Sequence, residues 1–362
     1  MNTPAGLSVR VPGSPTRTER RSSKPWPMEK APGRMLLIRF HAFGDVTITF
    51  PFAAALKARY PACDIDFLTS EPVRDLVAAT GLFSGIFAVP LRRSPSERFS
   101  DALLLALRLR SHNYDVVIDL QRNPYSRIVR RIVSAPAWSE FDRFSPLNAG
   151  ARVASACADA GFRSLSARCS LPLTERVRNS ARTIMARGGW NGSGRTIVLN
   201  PAGLWPSRNW PLESYVALAR TLAGNHRTEF LVLGTDRIRS KASFLKTTLG
   251  DSLVDLSGQT TPGEALALLE LVSGIVTEDS GLMHMAWACG VPTVALFGSS
   301  YHIWSAPSGD HCRTLHSGDL PCGACMEPAC RYGDTHCLTR WTPHQVAELL
   351  EGLLSEADRR NA

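Results

Sequence analysis

The 362-residue sequence lacks any uninterrupted run of about 18 apolar residues, the length that a membrane-spanning helix requires. Arg, Asp, Glu or Pro interrupts each hydrophobic stretch, so we predict a chain without membrane spans. The first 33 residues also lack the continuous apolar segment of a secretory signal, and their six prolines argue against an amphipathic targeting helix. We therefore expect a cytoplasmic protein.

Acidic residues are fewer than basic ones, 32 against 41, which gives a formal net charge of +9. Residues 1–33 hold six basic and two acidic residues, and we predict that this segment is a disordered basic extension. The basic residues of the remaining chain are scattered rather than clustered. This scatter argues against a nucleic-acid-binding protein.

Cysteine is sparse over most of the chain: four of the nine cysteines are dispersed, and the other five lie within residues 312–337. Without a secretory signal, a disulfide framework is less expected than free thiols or a metal site. Cys322, Cys325, Cys330 and Cys337 are candidate ligands of a structural zinc ion, because four thiols can bind zinc tetrahedrally. Their spacing is not that of a standard zinc finger, so zinc, free thiols and disulfides all stay open.

From residue 35 onward, short apolar runs alternate with helical patterns. This alternation predicts an α/β protein with parallel sheets covered by helices on both faces. The Gly/Asn/Ser-rich residues 188–194 mark a boundary, after which the alternation restarts. We predict two doubly wound domains that face a central cleft, where such sheets bind ligands. The predicted ranges are 34–190, 191–342 with a cysteine-rich loop over 312–337, and 343–362 for a C-terminal helix that packs back.

The first candidate site is the turn after the first predicted strand, where Gly44 and Asp45 begin a helix. Asp45 has two interpretations. In the first turn of a helix, a carboxylate is stabilised by backbone N–H groups and by the helix dipole. At a strand end that faces a cleft, it can act as a general base toward a substrate hydroxyl. The turn does not match GxGxxG, so dinucleotide binding is not supported.

The second candidate site is the sequence TEDSGLMH at residues 277–284, between an apolar strand and a helix. Ser280 is a natural N-cap, and Gly281 lets an anion approach the free N–H groups of the first turn. His284 lies four residues after Ser280 and so on the same helix face. A capped helix with a buried histidine is the alternative, but Asp279 beside these three residues favours a phosphate or diphosphate site.

Two further strand-end loops are candidates for the same ligand. The loop NPAGLWPSRNWP at 200–211 carries Ser207 and Arg208, and a guanidinium there can clamp a phosphate, unless the loop only covers an edge. Thr235 lies in the turn after the next strand, where it either contacts a nucleoside or caps a helix.

Four motifs together resemble glycosyltransferase family 9, the ADP-heptose:lipopolysaccharide heptosyltransferases and their relatives. They are HAFGDVTITFP, NPAGLWPSRNWP, TEDSGLMHMAWACGVPTVALFG and CGACMEPACRYGDTHCL. The resemblance spans residues 35–356 and implies a GT-B fold: two Rossmann-like domains, the acceptor on the first, the donor mainly on the second, and a last helix that crosses back. It also implies an inverting, metal-independent transfer of a heptose or related sugar from an ADP-sugar to the lipopolysaccharide core or another lipid-linked saccharide.

Mapped onto this sequence, the resemblance makes Asp45 the catalytic base and assigns Asp279, Ser280, Gly281 and His284 to the donor sugar and diphosphate. Arg208 replaces a basic residue that is often lysine in the family, which keeps the charge but changes its geometry. The positive net charge then suits a nucleoside diphosphate and an anionic membrane that presents the acceptor. We expect a peripheral protein at the inner face of the inner membrane.

Two alternatives accompany this prediction: a nucleotide-sugar epimerase of GT-B fold, which needs no acceptor, and a non-catalytic module that binds a sugar nucleotide or a metal. Asp64 and Asp66 match the DxD pattern of metal-dependent glycosyltransferases, but they begin a strand, so we expect no catalytic role for them. A group of arginines in the first domain either contacts acceptor phosphates or forms a solvated helix face. They are Arg122, Arg127, Arg130 and Arg131.

Overall fold

The predicted alternation of strands and helices produces two parallel β-sheets, one in each half of the chain. The computed structural model describes residues 22–27, 29–90, 94–190, 192 and 194–361. Residues 1–21 and 28 of the predicted N-terminal extension lie outside the described residues. The prediction of an α/β protein with two doubly wound domains is confirmed.

The first sheet has five parallel strands in the order β3-β2-β1-β4-β5. These strands are β1 (Arg34–Ile38), β2 (Asp64–Ser70), β3 (Gly85–Val89), β4 (Val116–Asp119) and β5 (Ala137–Glu140). The helices of this half are α1 (Phe43–Thr47), α2 (Phe50–Arg59), α3 (Arg74–Ala79), α4 (Pro95–Arg110), α5 (Pro124–Val133), α6 (Ala149–Asp159) and α7 (Glu175–Arg187). Since β1 lies in the centre, the turn that carries Asp45 opens at the middle of the sheet.

Residues 22–27 extend this sheet, which corrects the prediction of disorder over the whole of 1–33. Lys24 pairs with Trp138 in β5, and the backbone N–H of each donates to the carbonyl of the other at 2.8 Å. Trp26 is buried and belongs to the main core cluster. Burial of this large ring fixes a segment that its prolines and charges alone suggest is disordered.

The second sheet has six parallel strands in the order β11-β10-β9-β6-β7-β8. These strands are β6 (Arg195–Asn200), β7 (Thr228–Val232), β8 (Leu253–Asp255), β9 (Gly274–Glu278), β10 (Thr293–Leu296) and β11 (Cys312–Leu315). Its helices are α8 (Leu212–Asn225), α9 (Arg239–Leu249), α10 (Pro262–Leu268), α11 (Gly281–Ala288), α12 (His302–Ser305), α13 (His336–Thr339) and α14 (Pro343–Asn361). The first residues of the predicted cysteine-rich loop are thus an edge strand, because they pair in parallel with β10.

Helix α7 connects the two domains through packing as well as through the chain. Its buried residue Met185 shares one core cluster with Val198 and Leu231 of the second sheet. Arg178 on α7 forms a salt bridge with Glu270 of the second domain, Nε to Oε2 2.7 Å. The last helix, α14, packs on α8, β9 and β10 of the second domain. None of the described helices is both long enough and apolar enough to cross a membrane.

Candidate active site

The turn between β1 and α1 holds Asp45 where the sequence predicts it, at the carboxyl edge of the first sheet. Its Oδ2 lies 2.7 Å from Nη2 of Arg39, and the backbone N–H of Ala42 donates to the same oxygen at 3.3 Å. The Asp45 side chain is 44% exposed, whereas that of Arg39 is 10% exposed. A buried guanidinium therefore fixes a carboxylate that stays open to the cleft.

The turn between β9 and α11 has the predicted helix cap. The backbone N–H of Met283 donates to Oγ of Ser280 at 3.4 Å, and Asn200 Nδ2 donates to the same oxygen at 2.8 Å. Asn200 Nδ2 also donates to Oγ1 of Thr277 at 2.7 Å, so β6 and β9 together hold the cap. The first N–H groups of a helix have no partner within the helix, and anions bind at such N-termini, so the predicted phosphate site at Gly281 stays a prediction.

Helices α1 and α11 begin opposite each other across the two domains. A Cβ atom on Gly44 would lie 2.5 Å from Cδ2 of His284, and a Cβ atom on Gly281 would lie 3.8 Å from that of Phe43. His284 is buried, which lowers its pKa, while the charges of Asp279 and Asp45 act in the opposite direction. The structure thus brings together the two motifs that the sequence separates by more than 230 residues.

Arg208 and Asp279 form an ion pair beside this junction, with Nη1 to Oδ2 3.1 Å and side chains that are 13% and 14% exposed. The guanidinium lies over the ring of Trp205, 4.0 Å from the ring centroid. Its Nε is buried and has no hydrogen-bond partner among the described residues. Arg208 is thus held in place, with one guanidinium nitrogen left unpaired among the described residues.

The loop with Arg208 is held by Glu278, a residue that the sequence analysis missed. This fully buried carboxylate accepts hydrogen bonds from the backbone N–H groups of Gly203, at 2.6 Å, and Trp210, at 2.7 Å. Burial raises its pKa to about 7, although Lys241 and the two N–H groups lower it. The acidic residue before Asp279 is the sequence signal that could have identified it.

Ser207 and Thr235 have different surroundings from those of Arg208. Ser207 is buried; its Oγ lies 2.8 Å from Oγ of Ser299 and donates to the carbonyl of Glu327. These contacts join the loop to the cysteine-rich segment rather than to the turn at Ser280. Thr235 is exposed at the end of β7 and precedes one 3-10 turn, Asp236–Ile238.

Two arginines that the sequence analysis did not select converge near Asp45. The guanidinium carbons of Arg39 and Arg152 lie 5.0 and 5.4 Å from the ring centroid of Phe141. Burial lowers the pKa of Arg152, and the charge of Asp45 opposes this. The Nε atoms of both arginines are buried without a hydrogen-bond partner in the described part of the chain. They form a cationic edge next to the candidate base.

Three of the four arginines selected from the sequence surround one buried carboxylate instead. Glu140 lies 3.5, 3.2 and 2.7 Å from side-chain nitrogens of Arg122, Arg127 and Arg130. Arg130 also stacks on the ring of Trp138 at 3.7 Å. These contacts favour a structural role for the cluster, since a buried ion pair needs its partners close by.

Asp64 and Asp66 lie at the beginning of β2, as predicted, and therefore at the edge of the sheet opposite to Asp45. Asp64 pairs with Arg34 at 2.8 Å, and Asp66 accepts a hydrogen bond from the hydroxyl of Tyr114 at 2.7 Å. Both carboxylates are occupied by contacts within the first domain.

The cysteines at 322, 325, 330 and 337 line one cavity of about 290 Å³ beside Ser207. Burial and the neighbouring thiols raise the pKa of Cys337 to about 11. All nine cysteines are free. Within the described ranges, no three His, Cys, Asp or Glu side chains converge in a way that could hold a metal ion. As arranged here, the four thiols do not fit a zinc site.

Known proteins are similar to this chain over most of its length. The family model for glycosyltransferase family 9 (heptosyltransferase) matches residues 103–336. Lipopolysaccharide heptosyltransferase 1 of Pseudomonas aeruginosa is 24% identical over 355 residues, with 89% of this chain and 98% of that protein covered. Lipopolysaccharide heptosyltransferase 2 of Salmonella typhimurium is 26% identical over 353 residues, with 89% and 99% covered.

Solved structures have the same fold. The family 9 glycosyltransferase of Veillonella parvula superposes with a TM-score of 0.75 at 20% identity, covering 90% of this chain and 97% of that one. The Escherichia coli heptosyltransferase WaaC, solved with ADP-2-deoxy-2-fluoro heptose, gives 0.62 at 18% identity, covering 88% and 99%. The GT-B fold that the sequence motifs imply is confirmed. Since the family model matches more than half of the chain, this protein belongs to glycosyltransferase family 9, the heptosyltransferase family.

Proposed function

We propose that this protein transfers a heptose, or a related sugar, from an ADP-sugar to a saccharide of the lipopolysaccharide core or to another lipid-linked acceptor. The meeting of α1 and α11 carries the proposal, because the backbone nitrogen of Gly44, next to Asp45, lies 4.0 Å from the Cβ position of Gly281 at the N-terminus of α11. The relatives named as lipopolysaccharide heptosyltransferases support the sugar and acceptor class, and WaaC with its ADP-heptose analogue supports the nucleotide. Family membership does not favour an epimerase or a non-catalytic module.

The donor diphosphate is proposed to bind at the N-terminus of α11. Backbone N–H groups and the helix dipole supply positive potential there, and the free Nε of Arg208 adds a charged donor from the facing loop. Asp279 keeps Arg208 oriented, and Glu278 keeps the loop in place. Because Ser207 is buried in the loop, we propose that it supports the loop. Because Thr235 is exposed at the end of β7, we propose that it contacts the nucleoside of the donor.

The proposed reaction is a single displacement. The acceptor hydroxyl oxygen attacks the anomeric carbon, its proton passes to the carboxylate of Asp45, and the bond from the anomeric carbon to the diphosphate oxygen breaks with its electron pair on ADP. Attack from the face opposite to the leaving group inverts the configuration. Arg208 and the N–H groups of α11 stabilise the charge that develops on ADP, the role that a metal ion has in other glycosyltransferases, so we propose that no metal is required.

The acceptor is proposed to be anionic near its reacting hydroxyl. Arg39 and Arg152 lie beside Asp45 with one buried guanidinium nitrogen each left without a partner among the described residues. A phosphate or sugar carboxylate on the acceptor would supply the missing hydrogen-bond acceptor. Since such a saccharide is lipid-linked, we propose a cytoplasmic protein that acts peripherally at the inner face of the inner membrane.

A donor screen with a deacylated, phosphorylated core acceptor tests the proposed function. We expect ADP release and a heptosylated product with ADP-heptose, much less product with GDP- or UDP-sugars, and an anomeric configuration opposite to that of the donor by NMR. EDTA should leave the rate unchanged. Conversion of the donor without acceptor would indicate an epimerase, and donor binding without turnover under all conditions would indicate a binding module.

A further inference from the structure

Helix α4 presents a row of large apolar side chains away from the core. Phe99, Leu103, Leu104 and Leu107 are 51%, 36%, 67% and 54% exposed. They account for four of the eleven large apolar residues that are exposed in the described part of the chain. Single exposed leucines are ordinary, but four within nine residues form an apolar patch of the kind that marks an interaction site.

The periodicity of α4 shows why these side chains cannot reach the core. Phe99, Leu103 and Leu107 are spaced by four residues and form one stripe, with Leu104 beside it. The adjacent face of the helix is already buried through smaller or well-packed side chains. These are Ala102, Ala106 and Leu109, which belong to the core cluster on that side of the first sheet. The exposed stripe therefore does not contribute to the hydrophobic core of the domain.

The charges around the stripe have one sign in its second half. From Ala102 to the end of α4, the charged residues are Arg108 and Arg110, both exposed. Helix α5, which packs beside α4, contributes the exposed Arg131 and has no acidic residue. An apolar stripe with arginines at its rim has the composition of helices that lie in the interface of an anionic bilayer. The first half of α4 carries Glu97, Arg98 and Asp101, so the purely basic rim is confined to the second half of the helix.

We propose that the stripe of α4 is the membrane-docking surface of this protein, and that it inserts into the headgroup region of an anionic lipid bilayer. The inference builds on the proposed function, because it says how the acceptor-binding domain reaches a lipid-linked acceptor. Helix α4 follows β3 and so begins at the carboxyl edge of the first sheet, the edge that also holds Asp45. A bilayer that contacts α4 therefore lies against the same domain as Asp45, and the first turns of the helix are the part nearest to that edge.

Vesicle flotation tests the proposal without any assay of transfer. The full-length protein is expected to float with vesicles of phosphatidylglycerol and phosphatidylethanolamine, much less with phosphatidylcholine alone, and less as salt rises. The double variant Leu104→Gln/Leu107→Gln should lower the vesicle partition coefficient by at least about tenfold, since it removes two inserted side chains. Phe244→Gln, at an apolar position on α9 that is 39% exposed, is the control outside the stripe and should bind like the wild type.

Thermal unfolding and sedimentation separate membrane docking from a loss of fold and from self-association. The double variant should unfold at the same temperature as the wild type, because both leucines are exposed. If the wild-type protein does not bind anionic vesicles, or if the double variant binds as well as the wild type, the proposal is wrong. The proposal is also wrong if sedimentation shows that the wild type is a dimer and the double variant is a monomer. A second copy of the chain then covers the stripe. Vesicle binding with no glycosyl transfer would instead contradict the proposed function alone.

Discussion

A Cβ atom on Gly44 would lie 2.5 Å from Cδ2 of His284, so the two domains touch where residue 44 has no side chain. His284 is buried on α11, and Gly44 precedes the candidate base. It is one of several contacts between the two domains, together with the packing of α10 against α3 and α7. The glycine is therefore required by packing across the domains and not by its backbone conformation.

Gly44→Ala should lower kcat by about 100-fold, because the new methyl group pushes α1 away from α11 and displaces Asp45 by a fraction of an ångström or more. Steady-state kinetics with ADP-heptose and a deacylated acceptor would measure this. Gly352→Ala is the matched control: it lies in helix α14 with no atom near its Cβ position, so the protein should keep its activity and gain roughly 0.4–1 kcal/mol of stability. Full activity in Gly44→Ala would show that the close approach of residue 44 to His284 is not needed for catalysis.

Asp45→Asn should reduce kcat by about 100- to 10,000-fold, because the amide keeps the shape of the side chain but cannot accept the proton of the acceptor hydroxyl. Donor affinity, measured by calorimetry, should change little. Asp251→Asn is the control, since this carboxylate is fully exposed at the far end of α9. If Asp45→Asn turns over substrate at the wild-type rate, Asp45 is not the catalytic base, and its role is to stabilise the first turn of α1.

Arg208→Met should lower kcat/KM for the donor by about 100- to 1,000-fold, because one charged donor to the diphosphate is lost and Asp279 loses its partner. Arg208→Lys should fall between this variant and the wild type: it restores the charge but not the planar set of donors. Arg220→Met, at an exposed position on α8, serves as the control. Equal kinetics for the methionine and lysine variants would show that charge at this position does not act on the donor.

Glu278 should make part of the stability depend on pH. Its pKa is raised from 4.5 to about 7 by burial, so the folded state holds the proton more tightly than the unfolded state. Its contribution is therefore full below about pH 4.5 and is lost as pH rises through about 7, on the order of 3 kcal/mol in all. Denaturant unfolding between pH 5 and 8 should show the free-energy difference between wild type and Glu278→Gln shifting in favour of the variant as pH rises. The exposed Glu348→Gln should show no such trend.

Cys337 should be a slow nucleophile at neutral pH, because burial and the neighbouring thiols raise its pKa to about 11. Alkylation by iodoacetamide, followed by peptide mass spectrometry, should accelerate about tenfold per pH unit between pH 7 and 10. Metal analysis of the same sample decides between free thiols and zinc. One zinc per chain that is lost in Cys322→Ser, with Cys337 protected at every pH, would support a zinc site over free thiols.

Much of the fold follows from local patterns. Short apolar runs such as 196–200 and 274–277 are buried on both faces. A strand is buried on both faces when it lies within a parallel sheet that helices cover on each side. Ser280 likewise acts on its own helix, so its role as the N-cap of α11 could be predicted from neighbouring residues. Trp26 and β11 could not be predicted in this way, because each is ordered by contact with a distant segment and not by its own periodicity.

The sequence by itself determined the two α/β domains, the strand-end positions of Asp45 and Asp279, and the family motifs, because each depends on residues close together in the chain. Only the tertiary structure decided which side chains share the site. It placed Arg39 and Arg152 beside Asp45, buried Ser207, joined the loop of Arg208 to β9 through Glu278, and left the leucines of α4 facing outward. Charges and cavities combine groups from distant parts of the chain, and their energies depend on distance and burial in space, which sequence spacing does not contain.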